Sequence, residues 1–224
     1  MKRAWIPFVA SVMGAMAFAS CSKKETKSYS NLMFINASPT LTTTTITSEE
    51  SVPYTSPLAY GTNTGYIQVE SGNGRVIRAH ISDTSYLSTA MPAPAGQYQS
   101  AFLVDTGKKL NMLVIGDNLS KPSGDRARLR FLNLSYNAVP VDVSIAKTTD
   151  TIFRGQAFKQ VSNLNDFVPG VYKLIVSRTG TKDTVCTVNT FSMSAGKIYT
   201  LYLKGIDSTN SGKTAVSTSL IQHN

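Results

Sequence analysis

Apolar residues in this chain recur with a period of two, in short blocks separated by turn residues. Leu129, Phe131 and Leu132 alternate with Arg128 and Arg130, and Val141, Val143 and Ile145 alternate with Asp142 and Ser144. That period gives a half-buried β-strand one apolar face. Further strands are predicted at 171–176 after Pro169-Gly170, at 184–188, at 198–203 after Ala195-Gly196-Lys197, and at 215–221. An earlier set is predicted at 32–36, 65–69, 75–81, 98–104 and 110–115. Helical periodicity is absent from the mature chain. Short strands at this spacing predict an all-β protein whose sheets bury alternating residues between them.

The blocks come twice. Leu32-Met33-Phe34-Ile35-Asn36-Ala37-Ser38 returns 97 residues later as Leu129-Arg130-Phe131-Leu132-Asn133-Leu134-Ser135. Leu58-Ala59-Tyr60 returns as Gln156-Ala157-Phe158 at a spacing of 98, and Ala95-Gly96-Gln97 as Ala195-Gly196-Lys197 at 100. Gly72 with Arg75-Val76-Ile77 matches Gly170 with Lys173-Leu174-Ile175, again at 98. A fixed order with slowly drifting spacing marks an internal repeat with small loop indels. The expected organisation is two tandem antiparallel β-sandwiches, 31–118 and 126–224, joined by a linker at 119–125 that carries Pro122 and Gly124.

The N-terminus carries an address. Met1-Lys2-Arg3 precedes a stretch from Ala4 to Ala19 without charge, and Ser20-Cys21 follows. A basic start, a short apolar core and small residues before a cut describe a signal peptide, here 1–20. Phe18-Ala19-Ser20-Cys21 resembles the bacterial lipobox, which predicts lipid attachment at Cys21 through its thiol. Residues 21–30 then read as a polar, lipidated tether. The expected localisation is the cell envelope, lipid-anchored, at the outer membrane of a Gram-negative bacterium. Its periplasmic or surface face is left open.

Composition narrows the chemistry. The formal charge of +9 falls to +7 once Lys2 and Arg3 leave, on a chain only 16% charged. No basic and aromatic interleaving points to nucleic acid, and none is expected as partner. Cys186 is the one cysteine besides Cys21, so no intrachain disulfide is available, and its strand context predicts a small buried hydrophobe. Two histidines, His80 on a strand and His223 near the C-terminus, are too few for a usual zinc site. No metal, cofactor or catalytic residue is expected. Gly212-Lys213-Thr214 lacks the glycine a phosphate loop needs, since Asp207 stands five residues earlier, and reads as a hairpin tip. Glu49-Glu50 and the other scattered acids read as loop charge. Asp150-Thr151-Ile152, Asp183-Thr184-Val185 and Asp207-Ser208-Thr209 have the form of O-glycosylation acceptors or of strand edges.

The second unit resembles the domain-of-unknown-function 4397 family of bacterial secreted proteins. The resemblance rests on the run from Ala127 to Ser135, on Val139-Pro140-Val141-Asp142-Val143, on Pro169-Gly170-Val171-Tyr172 and on Ala195-Gly196-Lys197-Ile198-Tyr199-Thr200. It covers about 126–206. The first unit reads as a degraded copy: it keeps Asn36-Ala37-Ser38-Pro39 but has Thr42-Thr43-Thr44-Thr45 in place of the Val-Asp-Val segment. The resemblance implies an immunoglobulin-like sandwich on an envelope lipoprotein, and no reaction. The functional expectation is a non-enzymatic, membrane-anchored lipoprotein presenting its sandwiches to an envelope protein or glycan. The alternatives are a structural spacer or accessory subunit of an envelope assembly, and a hydrolase with dispersed carboxylates. The candidate binding surface is the irregular Thr40 to Thr64 stretch with Tyr54, Tyr60 and Tyr66, residues that equally suit packing inside the first sandwich.

Overall fold

The computed structural model describes residues 26–47, 57–81, 84–148, 150–207 and 215–224. The signal peptide, Cys21, the Glu49-Glu50 pair, Tyr54 and Gly212-Lys213-Thr214 lie outside the described residues. Within them the chain forms strands and one short 3-10 turn, Gly107–Lys109. The first eight strands are β1 (Tyr29–Asn36), β2 (Thr43–Thr47), β3 (Leu58–Ala59), β4 (Asn63–Glu70), β5 (Gly72–Ile81), β6 (Thr84–Ala93), β7 (Tyr98–Val104) and β8 (Asn111–Gly116). The next eight are β9 (Ala127–Asn133), β10 (Val141–Ile145), β11 (Thr151–Gln156), β12 (Asn165–Phe167), β13 (Gly170–Arg178), β14 (Thr184–Met193), β15 (Ile198–Lys204) and β16 (Ser217–Gln222).

Four sheets of four strands result. Sheet β4-β1-β7-β8 lies over β3-β2-β5-β6, and Leu32, Phe34, Ile46, Ile77 and Leu103 meet between them. Sheet β12-β9-β15-β16 lies over β11-β10-β13-β14 around Leu129, Phe131, Val143, Leu174, Phe191 and Leu201. The expectation of wholly antiparallel sheets is corrected at two places, because β1 pairs with β7, and β9 with β15, in parallel. Parallel neighbours need a long crossover, and here the rest of each unit supplies it. The Thr40 to Thr64 stretch is also more regular than its sequence suggested, since it holds β2, β3 and the start of β4. Threonine is β-branched and suits a strand, and Thr44, Ile46 and Thr47 of β2 are buried.

Hydrogen bonds show the repeat residue by residue. Asn36 Nδ2 donates to the carbonyls of Leu41 and Leu58, and Asn133 Nδ2 donates to that of Gln156. The amide of Ser38 donates to Asn36 Oδ1, as that of Ser135 does to Asn133 Oδ1. The amides of Gly61 and Lys159 donate to the carbonyls of Asn36 and Asn133, and those of Asp117 and His223 to Tyr98 and Ile198. The hydroxyls of Ser38 and Ser135 donate to the carbonyls of Asp105 and Gly205. Gly61 and Lys159, Asp105 and Gly205, and Asp117 and His223 therefore hold equivalent places.

The two sandwiches are packed against each other. Met33, Ile35, Ala37, Phe102 and Val104 from the first form one buried cluster with Leu132, Leu134, Tyr202 and Ile221 from the second. This explains why β1, β7, β9 and β15 read as near-continuous apolar runs: they are covered on both faces. It also corrects the reading of Arg130 as an outward residue of β9, because the face it points from is buried and Arg130 is 4% exposed. Phe102 and Tyr202, equivalent by strand register, meet each other with ring centroids 5.5 Å apart. Contact between equivalent residues is the mark of a two-fold arrangement. Burying each such side chain contributes about 1.5–3 kcal/mol, so the junction is a second core.

Strand directions give this body two distinct ends. The starts of β1, β7, β9 and β15 share one end with the close of β8, the close of β16 and the linker. Contacts from Asp117 to Arg130 and from Tyr66 to His223 hold the two sandwiches together toward that near end. At the far end lie the turns after β1, β3, β7, β9, β11 and β15.

Candidate functional site

Two groups of polar residues cross the junction. The first is buried. Arg130 Nε donates to Thr200 Oγ1 at 2.8 Å, its Nη1 to the carbonyl of Gly116 at 3.1 Å, and its Nη2 to Asp117 Oδ1. Ser100 and Tyr66 each donate a hydroxyl to Asp117 Oδ2 at 2.7 Å. Tyr66 Oη also lies 2.8 Å from His223 Nδ1, whose Nε2 is 2.6 Å from Thr200 Oγ1. The acid is thus matched by an arginine and two hydroxyls, which is what a carboxylate needs to be buried without a large desolvation penalty. Burial, more than the opposing charges of Asp117 and Arg130, lowers the His223 pKa to about 4. Burial and the neighbouring Asp117 carboxylate raise that of Tyr66. His223, which the sequence placed only near the C-terminus, is held in this bridge.

The second group lies at the far end. The Lys159 ammonium reaches Asp105 Oδ2 across the junction, and Tyr202 Oη donates to the carbonyl of Gly61 at 3.3 Å. The Lys204 ammonium sits 4.4 Å from the centre of the Tyr60 ring. Asp105, Asn137 and Lys159, three of the four described non-glycine residues with positive φ, all fall in these turns. Backbone in that region costs on the order of 1 kcal/mol or more, and such outliers concentrate at working surfaces.

The sequence-predicted site residues separate. Tyr60 and Tyr66 come to the junction between the sandwiches, one toward each end, with their hydroxyls turned inward. The Tyr60 hydroxyl is sealed from solvent and has no hydrogen-bond partner among the described residues. Cys186 is half-buried against the second core, and burial pushes its thiol up to about 11. His80 lies on β5 with Nε2 2.8 Å from Thr47 Oγ1. Thr151 and Thr184 open β11 and β14. Among the described residues, no three of His, Cys, Asp and Glu gather as a metal-holding group, and no helix is long and apolar enough to cross a membrane. Sequence reading passed over Asp105, Lys159, Lys204, Asp117 and Arg130. The available signal was the repeat itself, which sets Lys159 against Gly61 and Arg130 against Met33.

Comparison with known proteins places these features in a family. No curated protein matches the chain. A crystal structure described as "a putative cell adhesion protein" from Bacteroides eggerthii is similar over 87% of this chain and 95% of that one, at 9% identity and a TM-score of 0.24. The family model for a domain of unknown function (DUF4397) matches residues 30–144. The sequence motifs had placed this resemblance on 126–206, whereas the match covers the first sandwich, β9 and most of β10. It therefore takes in Asn36-Ala37-Ser38-Pro39 together with Val141-Asp142-Val143, and the unit read as degraded carries most of the pattern. With just over half of its length matched, the chain belongs to the DUF4397 family.

Proposed function

We propose that this protein is a non-enzymatic lipoprotein of the bacterial cell envelope, held by lipid on Cys21, that presents the far end of its paired sandwiches to another protein. The observation that carries this reading is the polarity of the fold. The chain enters β1 at the near end, eight residues after Cys21, while turns from both sandwiches converge at the far end. An anchor on Cys21 would therefore hold the body by one end and leave a composite loop surface at the other. Loops carried by a rigid scaffold are where binding is concentrated in such folds. In this reading the two units are tandem immunoglobulin-like domains, and the junction makes them one presented body.

The rigidity of the junction also favours the spacer reading, in which the body holds other envelope components apart. Replacing Cys21→Ala tests the anchor: the protein should move from the membrane fraction to the soluble fraction. Retention in the membrane without the cysteine would sink the anchor. Cross-linking from Lys108 in intact cells tests display. A single recurrent protein adduct supports recognition, and none at the far end supports the spacer.

A further inference from the structure

The two-fold arrangement relates a second turn to the place where the tether leaves the body. The tether is fixed at Ser28, whose carbonyl accepts from the amide of Ser71 at 2.8 Å. Ser71 lies between β4 and β5 at the near end, since Glu70 pairs with Tyr29 at the start of β1. The repeat sets Glu70, Ser71 and Asn73 against Val168, Pro169 and Val171. Those residues are again at the near end, because Phe167 pairs with Ala127 at the start of β9, and Gly170 with Met193 at the close of β14. A polar turn in the first sandwich is therefore an apolar one in the second. Val168 and Val171 are 57% and 71% exposed, and neither joins the core.

Single exposed apolar side chains are ordinary, but here they gather at one end. Six large apolar or aromatic side chains are exposed among the described residues, and four of them, Tyr29, Tyr98, Val168 and Val171, stand at the near end. Cations accompany them. Lys121 Cε lies 4.0 Å from an ideal Cβ at Gly196, in the turn before β15, and the Gly196 amide donates to the carbonyl of Arg126. Both side chains are exposed, and neither has a carboxylate partner among the described residues. Glu70 and Asp166, nearby, are already paired with Arg75 and Arg128. Asp125, next to Arg126, is unpaired too.

We propose that the near end is seated on the bilayer, with Tyr29, Tyr98, Val168 and Val171 in the headgroup region and Lys121 and Arg126 against anionic lipid phosphates. This seat presupposes the lipid anchor of the proposed function and adds how the anchored body stands. The reach of the tether points to lipid as the occupant. Ser28 is seven residues after Cys21, a span of at most about 25 Å. A lipid on Cys21 keeps the near end within that distance of the headgroups, so even a weak surface contact becomes intramolecular. The tether alone would hold one corner of the body and leave it free to pivot. The two-fold axis runs along the strands, because β1, β7, β9 and β15 start at one end. The Val168 to Val171 turn thus stands level with the tether's exit, on the opposite corner, where a second contact stops the pivot. The residue types suit that place: tyrosine prefers the boundary of hydrocarbon and water, valine enters it, and cations meet anionic headgroups.

The test uses the lipidated full chain in phosphatidylethanolamine vesicles that contain phosphatidylglycerol and brominated lipid. The sequence has one tryptophan, Trp5, within the signal peptide, so Val171→Trp places a single reporter in the mature protein. Brominated lipid should quench its fluorescence and leave that of Lys108→Trp, at the far end, unchanged. Adding Val168→Asp to the Val171→Trp chain should cut the quenching about twofold or more. Replacing phosphatidylglycerol with phosphatidylcholine should weaken it as well. An unquenched Val171→Trp, or equal quenching at both ends, would overturn the seat, as would quenching indifferent to both the aspartate and the lipid charge. Flotation with the vesicles scores the anchor separately. A chain that does not float is coupled through Cys21 to a maleimide lipid and read again, so failure of the anchor and failure of the seat remain distinct.

Discussion

His223 sits between two hydroxyls, those of Tyr66 and Thr200, inside the junction. Its pKa is lowered from 6.5 to about 4, so as the pH falls the unfolded chain takes up this proton before the folded one. Its contribution to stability is complete above about 6.5 and declines as the pH drops toward about 4. Unfolding free energies from urea titrations across that window should fall for the native chain. In His223→Gln the fall should be smaller by on the order of 3 kcal/mol, and equal slopes would refute the assignment. Arg130 is the second residue-scale test. Arg130→Met leaves the Asp117 carboxylate buried without its cation and should cost about 3–5 kcal/mol. Methionine fits the space, because Met33 fills the equivalent position in the first sandwich. Adding Asp117→Asn should recover most of that loss in a double-mutant cycle.

Among elements, the turns that follow β1 and β9 depend on one asparagine each. Asn36→Ala removes two bonds to carbonyls and Asn133→Ala removes one, beside the bond each accepts from a serine amide. Each substitution should cost about 1–3 kcal/mol in chemical denaturation, with Asn36→Ala the more damaging. An Asn133→Ala loss exceeding that of Asn36→Ala would contradict this bond count. These asparagines were visible in the sequence as repeated Asn-x-Ser motifs, and β5, β7, β10, β13 and β15 were visible as alternating or apolar blocks. The threonine run of β2 was not, because polar side chains conceal a strand whose branching favours it. The junction was hidden for another reason. Whether the second face of β1 or β9 is wet depends on a sheet about a hundred residues away, and Arg130 disguised that face as solvent-exposed. The far-end contacts, of Gly61 with Lys204 and of Asp105 with Lys159, join residues that strand periodicity cannot pair.

For the whole molecule, the shared core means that neither sandwich can be lost without exposing apolar surface of the other. Calorimetry should therefore show one cooperative transition, and two separated peaks would refute the coupling. The inter-sandwich bridge has a further consequence, for ancestry. Equivalent positions carry Asp117 and His223, Met33 and Arg130, so the polar complement is split unequally between the halves. A homodimer of first halves in this arrangement would bury two carboxylates and no arginine, and one of second halves two arginines and no acid. Each would strand charge in a dry interface at a cost of several kcal/mol. If the halves arose by duplication, their divergence has made them obligate partners, and neither can stand in for the other.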